Sequence, residues 1–395
     1  MTDRNRIARI RKALTDAKLD ALVGSLPKNV LLLSGYWPVV GTSLAIALAD
    51  GSIELIVPED EQELAKQGWA DHVHMFKPAP LDQITSASEQ LLEPLRSMGK
   101  KLEGNEIGIE YGEDTEPSTY AAMHLYQDSL RDALAKAFPK AKLKPADEVL
   151  RSLRSVKTEG EIERIRNACA LTREAFEQGI KTLRPGITEL EAAEAFRSAF
   201  TAAQARASLI NRAEAFFWAM SGKNSALAHG AYARSRPKKI EAGDLVLVHC
   251  NTCADGYWTD ITRTFSLGHP DDKRNKMYAA VFAAREAALQ AISPGRRGSE
   301  IDRAARRVVE DLGFGKEFKH STGHGIGFGA ISPDALPRLH PKSDDIVEPG
   351  SVFNVEPAIY IEGYGGIRQC DMAYVTEKGY ERLSDFLTNP KDLFL

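Results

Sequence analysis

Between residues 159 and 375 the chain runs twice through the same order of elements, and this repeat restricts the fold more than any other feature. A charged helical pattern over 159–183 stops at Pro185-Gly186, and a second helix starts at Thr188, where Glu191 completes a capping box. Strand patterns follow at 214–220, 245–250 and 257–265. The order then recurs: a helix over 271–292, a stop at Pro294-Gly295, a helix over 300–312, and strands at 353–360 and 367–375. Two helix pairs, each followed by a β-hairpin, predict an α+β domain over 156–395 with an internal pseudo-two-fold.

Residues 1–155 read as a separate α/β domain. An amphipathic helix over 5–18 places Ile7, Ile10, Leu14 and Leu19 near one face. Residues 21–23 and 30–33 are short buried-strand candidates, and 43–49 and 53–57 flank Asp50-Gly51, a hairpin signal in which both turn positions favour positive φ. Short strands such as 107–109 then alternate with helical patterns. The uncharged stretch 29–49 is as long as a membrane span, but Ser34-Gly35, Pro38 and Gly41-Thr42 cut it into pieces, so strands joined by turns are expected and no membrane partner. With 27% charged residues and a net charge of −4, there is no basic excess for nucleic acid. The N-terminus leads into a charged helix without an apolar leader pattern, so Cys169, Cys250, Cys253 and Cys370 are expected as reduced thiols in the cytoplasm.

The chemistry gathers in the second domain. A two-residue turn at Asp255-Gly256 pairs residue 249 with 262, so His249, Asp260 and Thr262 share a strand face and Asn251 lies opposite Asp260. A buried Asp beside a His requires a metal or hydrogen bonds. In Lys319-His320-Ser321-Thr322-Gly323-His324-Gly325-Ile326-Gly327, alternating glycines oppose a helix and favour an extended segment that another chain part approaches closely. Both histidines are then free for a ligand or proton-transfer role. Glu356 precedes Pro357, and Arg368 shares a strand face with Cys370; the loop over 361–366 leaves open whether Glu356 faces them.

Taken in order, these pieces resemble the creatinase, prolidase and aminopeptidase P superfamily, the pita-bread fold. The resemblance rests on the run from Asp255 through Asp260 to Thr264, on Gly323-His324-Gly325-Ile326-Gly327, on Glu356-Pro357 and on Gly366-Ile367-Arg368. Ser221-Gly222 and His229 also fit, and the N-terminal part looks like the creatinase-type N-terminal domain. The resemblance implies a homodimer. It also implies a five-ligand, two-metal site of Asp, Asp, His, Glu and Glu, of which Asp260, His324 and Glu356 are retained. His249 stands where the first Asp is expected, Cys370 where the last Glu is expected, and Ile331 where the family carries a substrate-handling His. His229, His320 and Arg368 keep their family positions.

Two carboxylates balance one divalent ion rather than two, and imidazole with thiolate shifts preference from Mn toward Zn or Fe. The expectation is therefore one divalent metal on His249, Asp260, His324, Glu356 and Cys370, with His229, His320, Glu356 and Arg368 as catalytic groups. The metal would lower the pKa of a water that attacks a carbonyl or amidine carbon, with Glu356 as proton carrier and His229 and His320 at the oxyanion or leaving nitrogen. Two alternatives stand beside it. One is a metal-free, creatinase-like amidinohydrolase or amidohydrolase with His229 as base; the other is a non-catalytic peptidase-like binding protein, which has no need of such a polar cluster. The leading reading is a hydrolase of C–N bonds that acts on a short peptide or small molecule. Losing the family's His at Ile331 argues against ordinary dipeptidase activity. Tyr36 and Trp37, packing residues by their loop context, are also candidate substrate contacts through the resemblance. Cys250 and Cys253, a C-x-x-C without a second pair, carry no redox or zinc assignment; Cys169 reads as core and His340 as surface.

Overall fold

The computed structural model describes residues 3–39, 42–77, 86–112, 127–230, 234–330 and 335–395. By compactness the chain divides into residues 1–154 and 155–395.

The first unit is built on a six-stranded mixed sheet. Its strands are β1 (Ala21–Gly24), β2 (Leu44–Leu48), β3 (Ile53–Pro58), β4 (His72–Phe76), β5 (Glu106–Ile109) and β6 (Lys142–Pro145), in the order β4-β3-β2-β1-β5-β6. The expected first helix spans Arg4–Ala17 and buries Ile10 and Leu14. The second strand candidate is instead a helix, Pro27–Ser34. Pro27 sits in its first turn and Gly35 closes it at φ +70°, while Val30 to Leu33 are all buried, which erases the periodicity that tells helix from strand. The Asp50-Gly51 hairpin forms, but only Gly51 takes positive φ (+96°); Asp50 accepts from Ser52 N at 2.8 Å, and Leu48 N donates to Ser52 O across a longer loop. Among the described residues no helix is long and apolar enough to cross a membrane.

The Pro27–Ser34 helix has no side-chain cap of its own. The buried Glu110 carboxylate takes that place, accepting from Ser25 N (3.0 Å), Ser25 Oγ (2.6 Å), Leu26 N (2.9 Å) and Asn29 Nδ2 (2.7 Å). Glu110→Ala leaves these donors without an acceptor and is expected to cost ~3 kcal/mol, read as a lower urea midpoint, with Glu110→Gln recovering part of the loss.

The second unit follows the predicted repeat. Helices Glu159–Gly179 and Glu189–Gln204, the latter capped by the Thr188–Glu191 box, precede β7 (Ala213–Ser221), β8 (Leu245–Ala254) and β9 (Tyr257–Ser266). Phe176 and Phe196 pack edge to face at 5.4 Å and meet Phe217 of β7, which anchors this helix pair on the sheet. Helices Asp272–Gln290 and Gly298–Asp311 open the second half. The two strands expected after them are each broken in two. Residues 353–360 become β10 (Val352–Val355) and β11 (Ala358–Ile361), and 367–375 become β12 (Gly365–Arg368) and β13 (Asp371–Thr376). β10 pairs with β13, which also takes β14 (Gly379–Arg382), whereas β11 pairs with β12. The breaks fall at Glu356-Pro357 and Gln369-Cys370, so one chain pair serves two small sheets.

Candidate metal and hydrolytic site

Three backbone devices bring the side chains together. The first is the β8–β9 hairpin: Asp255 and Gly256 take φ of +47° and +86°, the two-residue turn the sequence predicts. Its register puts His249 opposite Thr262 and Asn251 opposite Asp260, on one face. Thr252, on the other face, meets Thr172 of helix Glu159–Gly179 at 2.8 Å.

The second is the glycine-flanked His324. Main-chain bonds run from Glu356 N to Thr322 O, from Asn354 N to His324 O and from Ile326 N to Val352 O, laying 322–326 along β10. A Cβ on Gly323 would stand 1.9 Å from the Asn354 carbonyl oxygen, and one on Gly325 would stand 2.1 Å from that of Leu336. The close approach expected from the alternating glycines is therefore what permits this pairing.

The third is the pair of strand breaks. Cys370 leaves its ladder and instead exchanges both main-chain bonds with Thr262 of β9, at 3.1 and 3.4 Å. The Ala358–Arg368 pairing settles the register that the sequence left open, and Glu356 and Arg368 face one another with Oε2 and Nη1 3.9 Å apart.

Asp260, Glu356 and Cys370 converge, with one ligand atom from each lying within 4.8 Å of the others. His324 joins them: its Nε2 is 3.9 Å from Asp260 Oδ2 and 4.0 Å from Glu356 Oε1, with Asn354 Nδ2 at 3.3 Å. Its Nδ1–H is directed to the Gly325 carbonyl at 3.1 Å, which fixes the tautomer and leaves Nε2, on the carboxylate side, to accept from Asn354 Nδ2. Asp260 and Glu356 are only 3% and 8% exposed, yet among the described residues neither receives an N–H or O–H hydrogen bond. The Cys370 thiol is the nearest donor, 3.4 Å from Asp260 Oδ1. Burial, reinforced by both carboxylates, pushes that thiol well up in pKa. Two buried anions without donors, a thiol and an aimed imidazole fit a divalent cation, which would satisfy all four at once.

His249 departs from the expected ligand role. Its Nδ1 accepts from Arg368 Nη2 at 2.9 Å and lies 2.9 Å from Thr262 Oγ1, while Nε2 faces Asn251 Oδ1 at 3.0 Å. Asn251 Nδ2 donates to Thr259 O, so its oxygen is the atom turned to the ring. The guanidinium is a donor only, hence His249 carries its proton on Nε2 and offers its lone pair to Arg368. Burial takes its pKa down to about 4, with Arg368 also lowering it against the pull of Asp260. Trp218 stacks on the ring at 5.2 Å.

His320 is likewise committed. Nδ1 bonds the Ser321 carbonyl at 2.7 Å and Nε2 meets the Tyr360 hydroxyl at 3.1 Å, and burial followed by Arg368 brings its pKa down to about 4. Tyr360, which sequence reasoning missed, links His320 to Arg368 Nη1 at 3.5 Å, and burial pushes its pKa up to about 12. The signal was available: Tyr360 has the strand parity of Glu356. His229 is exposed at the rim, its ring 5.6 Å from Tyr360, and burial, Lys319 and Arg368 lower its pKa. Apart from Tyr360 and Cys370, which lie behind its wall, these groups line a cavity of about 270 Å³, with Trp218, Met220 and Ala228 as its apolar side.

Tyr36 is 2% exposed and donates its hydroxyl to Glu61 within the first unit, as a packing residue; Trp37 beside it is half-buried. Ile331 falls outside the described residues. Cys169, Cys250 and Cys253 are buried and form no disulfide, and His340 is exposed.

Residues 163–377 match the profile of Metallopeptidase family M24, and residues 6–156 match the Creatinase/Prolidase N-terminal domain. The Xaa-Pro dipeptidase of Pyrococcus horikoshii is 30% identical over 379 residues, covering 96% of each chain. Among solved structures, the prolidase from Pyrococcus horikoshii superposes with a TM-score of 0.77 at 28% identity, covering 97% of this chain and 98% of that one. The Xaa-Pro dipeptidase from Bacillus anthracis gives 0.78 at 26% identity over 99% of both. A metallopeptidase profile over more than half of the residues, on a hairpin and histidine segment that build a metal-fitting cluster, leads to one assignment: the chain belongs to Metallopeptidase family M24, a hydrolase with a creatinase-type N-terminal domain followed by a pita-bread catalytic domain.

Proposed function

We propose that the chain hydrolyses a C–N bond in a short peptide or peptide-like amide with a single divalent metal held by Asp260, His324, Glu356 and Cys370. One observation carries this reading: the ligand atoms of Asp260, Glu356 and Cys370 lie within 4.8 Å of one another, and His324 Nε2 faces both carboxylates. With two carboxylates in place of four, the set balances one divalent ion, and its thiolate and imidazole favour Zn or Fe over Mn.

When bound, such a metal supplies a Lewis acid that makes water nucleophilic near neutral pH. Glu356 takes the water's proton on a carboxylate oxygen and passes it to the leaving nitrogen. Arg368, held by Thr262, His249 and Tyr360, presents its guanidinium to the substrate oxygen on which negative charge develops. His320 keeps Tyr360 in place rather than moving protons. His229 has no hydrogen-bond partner among the described residues and is the side chain able to meet the departing group. Trp218 and Met220 keep water off the apolar side.

Metal analysis of protein purified without added metal tests the reading, with one equivalent of Zn or Fe per chain expected. His249→Asp/Cys370→Glu, which rebuilds the family's carboxylate count, is expected to raise the stoichiometry from one to two. Two equivalents in the unmodified protein, or undiminished hydrolysis after complete metal removal, would sink it.

A further inference from the structure

We infer that the cavity selects substrates without a free ammonium beside the scissile bond, namely N-acylated amino acids or N-blocked dipeptides. The inference rests on the single-metal reading and on how charge is placed around the cavity. Among the described lining residues the only carboxylates are Asp260 and Glu356, and both turn toward His324. A cation bound there leaves no other acid among the described lining residues to receive an ammonium.

The opposite side is held by Arg368, 9% exposed, with no carboxylate oxygen within hydrogen-bond distance; the nearest is Glu356 Oε2 at 3.9 Å. Its bonds go to neutral groups: Thr262 Oγ1, His249 Nδ1, Tyr360 OH and the Ala228 carbonyl. His249 stands on the strand face beside Asp260, where a carboxylate would have neutralised this guanidinium. Instead it accepts a hydrogen bond and adds no negative charge beside the guanidinium, whose one ion pair among the described residues is with Glu356. A substrate ammonium would meet that charge without a partner, whereas an acyl carbonyl or a carboxylate accepts from it. In the reaction, the water oxygen bonds to the acyl carbon, the C–N bond breaks, and the nitrogen takes the water's proton.

The test compares Gly-Pro with N-acetyl-Gly-Pro on the metal-loaded protein, and separately the binding of glycine and N-acetylglycine by calorimetry. The acetylated dipeptide is expected to show a kcat/KM at least tenfold higher, and N-acetylglycine to bind at least tenfold more tightly. His249→Asp, which puts a carboxylate against Arg368, is expected to move the substrate ratio at least tenfold toward Gly-Pro. Equal or tighter binding of glycine, or no binding of either product, overturns the inference while leaving single-metal hydrolysis standing. Absence of metal and of turnover for both dipeptides defeats the hydrolase reading itself, and the two binding isotherms still decide the charge preference.

Discussion

Asp260→Asn is expected to lose the bound metal and roughly a thousandfold in kcat/KM while the protein stays folded. Asp260 serves the site with both oxygens: Oδ2 faces His324 Nε2 at 3.9 Å, and Oδ1 lies beside the Cys370 thiol and 3.6 Å from His249 Nδ1. The amide removes one of the set's two carboxylate charges and replaces an acceptor oxygen with a donor nitrogen that would point at a thiol or an imidazole. Folding has less to lose, because a buried carboxylate without N–H donors is a burden when no cation is present. The measurement is metal content, kinetics and thermal unfolding on one preparation. A variant that keeps its metal and its rate removes Asp260 from the ligand set.

Asp371→Ala acts in the opposite sense, on stability first. Arg263, fully buried, donates to Asp371 Oδ1 at 2.7 Å and to the carbonyls of Thr262, Cys370, Ser384 and Phe386. Arg285, 2% exposed, lies 3.5 Å from Asp371 Oδ2. Removing the carboxylate strands the Arg263 guanidinium, while Arg285 keeps its pair with Glu286 at 2.7 Å; the loss is expected to cost about 3–5 kcal/mol and to lower Tm by roughly 10 °C. Replacing the pair together, as Arg263→Met/Asp371→Leu, is expected to recover much of this, since the charge and its counter-charge leave as one. A calorimetric Tm for Asp371→Ala within 2–3 °C of the unmodified protein would show that the Arg263 carbonyl contacts suffice alone.

How much of this was legible in the sequence depended on whether a signal was local. The Asp255-Gly256 turn fixed a whole hairpin, because two left-handed residues leave one register, and the Thr188–Glu191 box marked a helix start. Helix Pro27–Ser34 was misread since burial on every side leaves no period to count. The strands around Glu356 and Cys370 were read as continuous because their breaks arise from a change of sheet partner, which is a tertiary event. Within the site, parity put Asp260 on the face of His249 and Arg368 on the face of Cys370, whereas His324 and Glu356 joined the candidate set through the family resemblance. These signals could not reveal that His249 gives its lone pair to Arg368, a contact across 119 positions. Nor could they reveal that Tyr360 holds His320.

The two interruptions, at Glu356-Pro357 and Gln369-Cys370, bear on how such a site can change over generations. The main chain at Glu356 is fixed by its N–H to Thr322 O, and at Cys370 by both of its bonds to Thr262. Any residue with an ordinary backbone supplies these bonds, so the architecture does not depend on which side chain hangs there. A ligand can therefore drift from carboxylate to thiol at low conformational cost, and selection can explore new metal preferences before the fold registers the experiment.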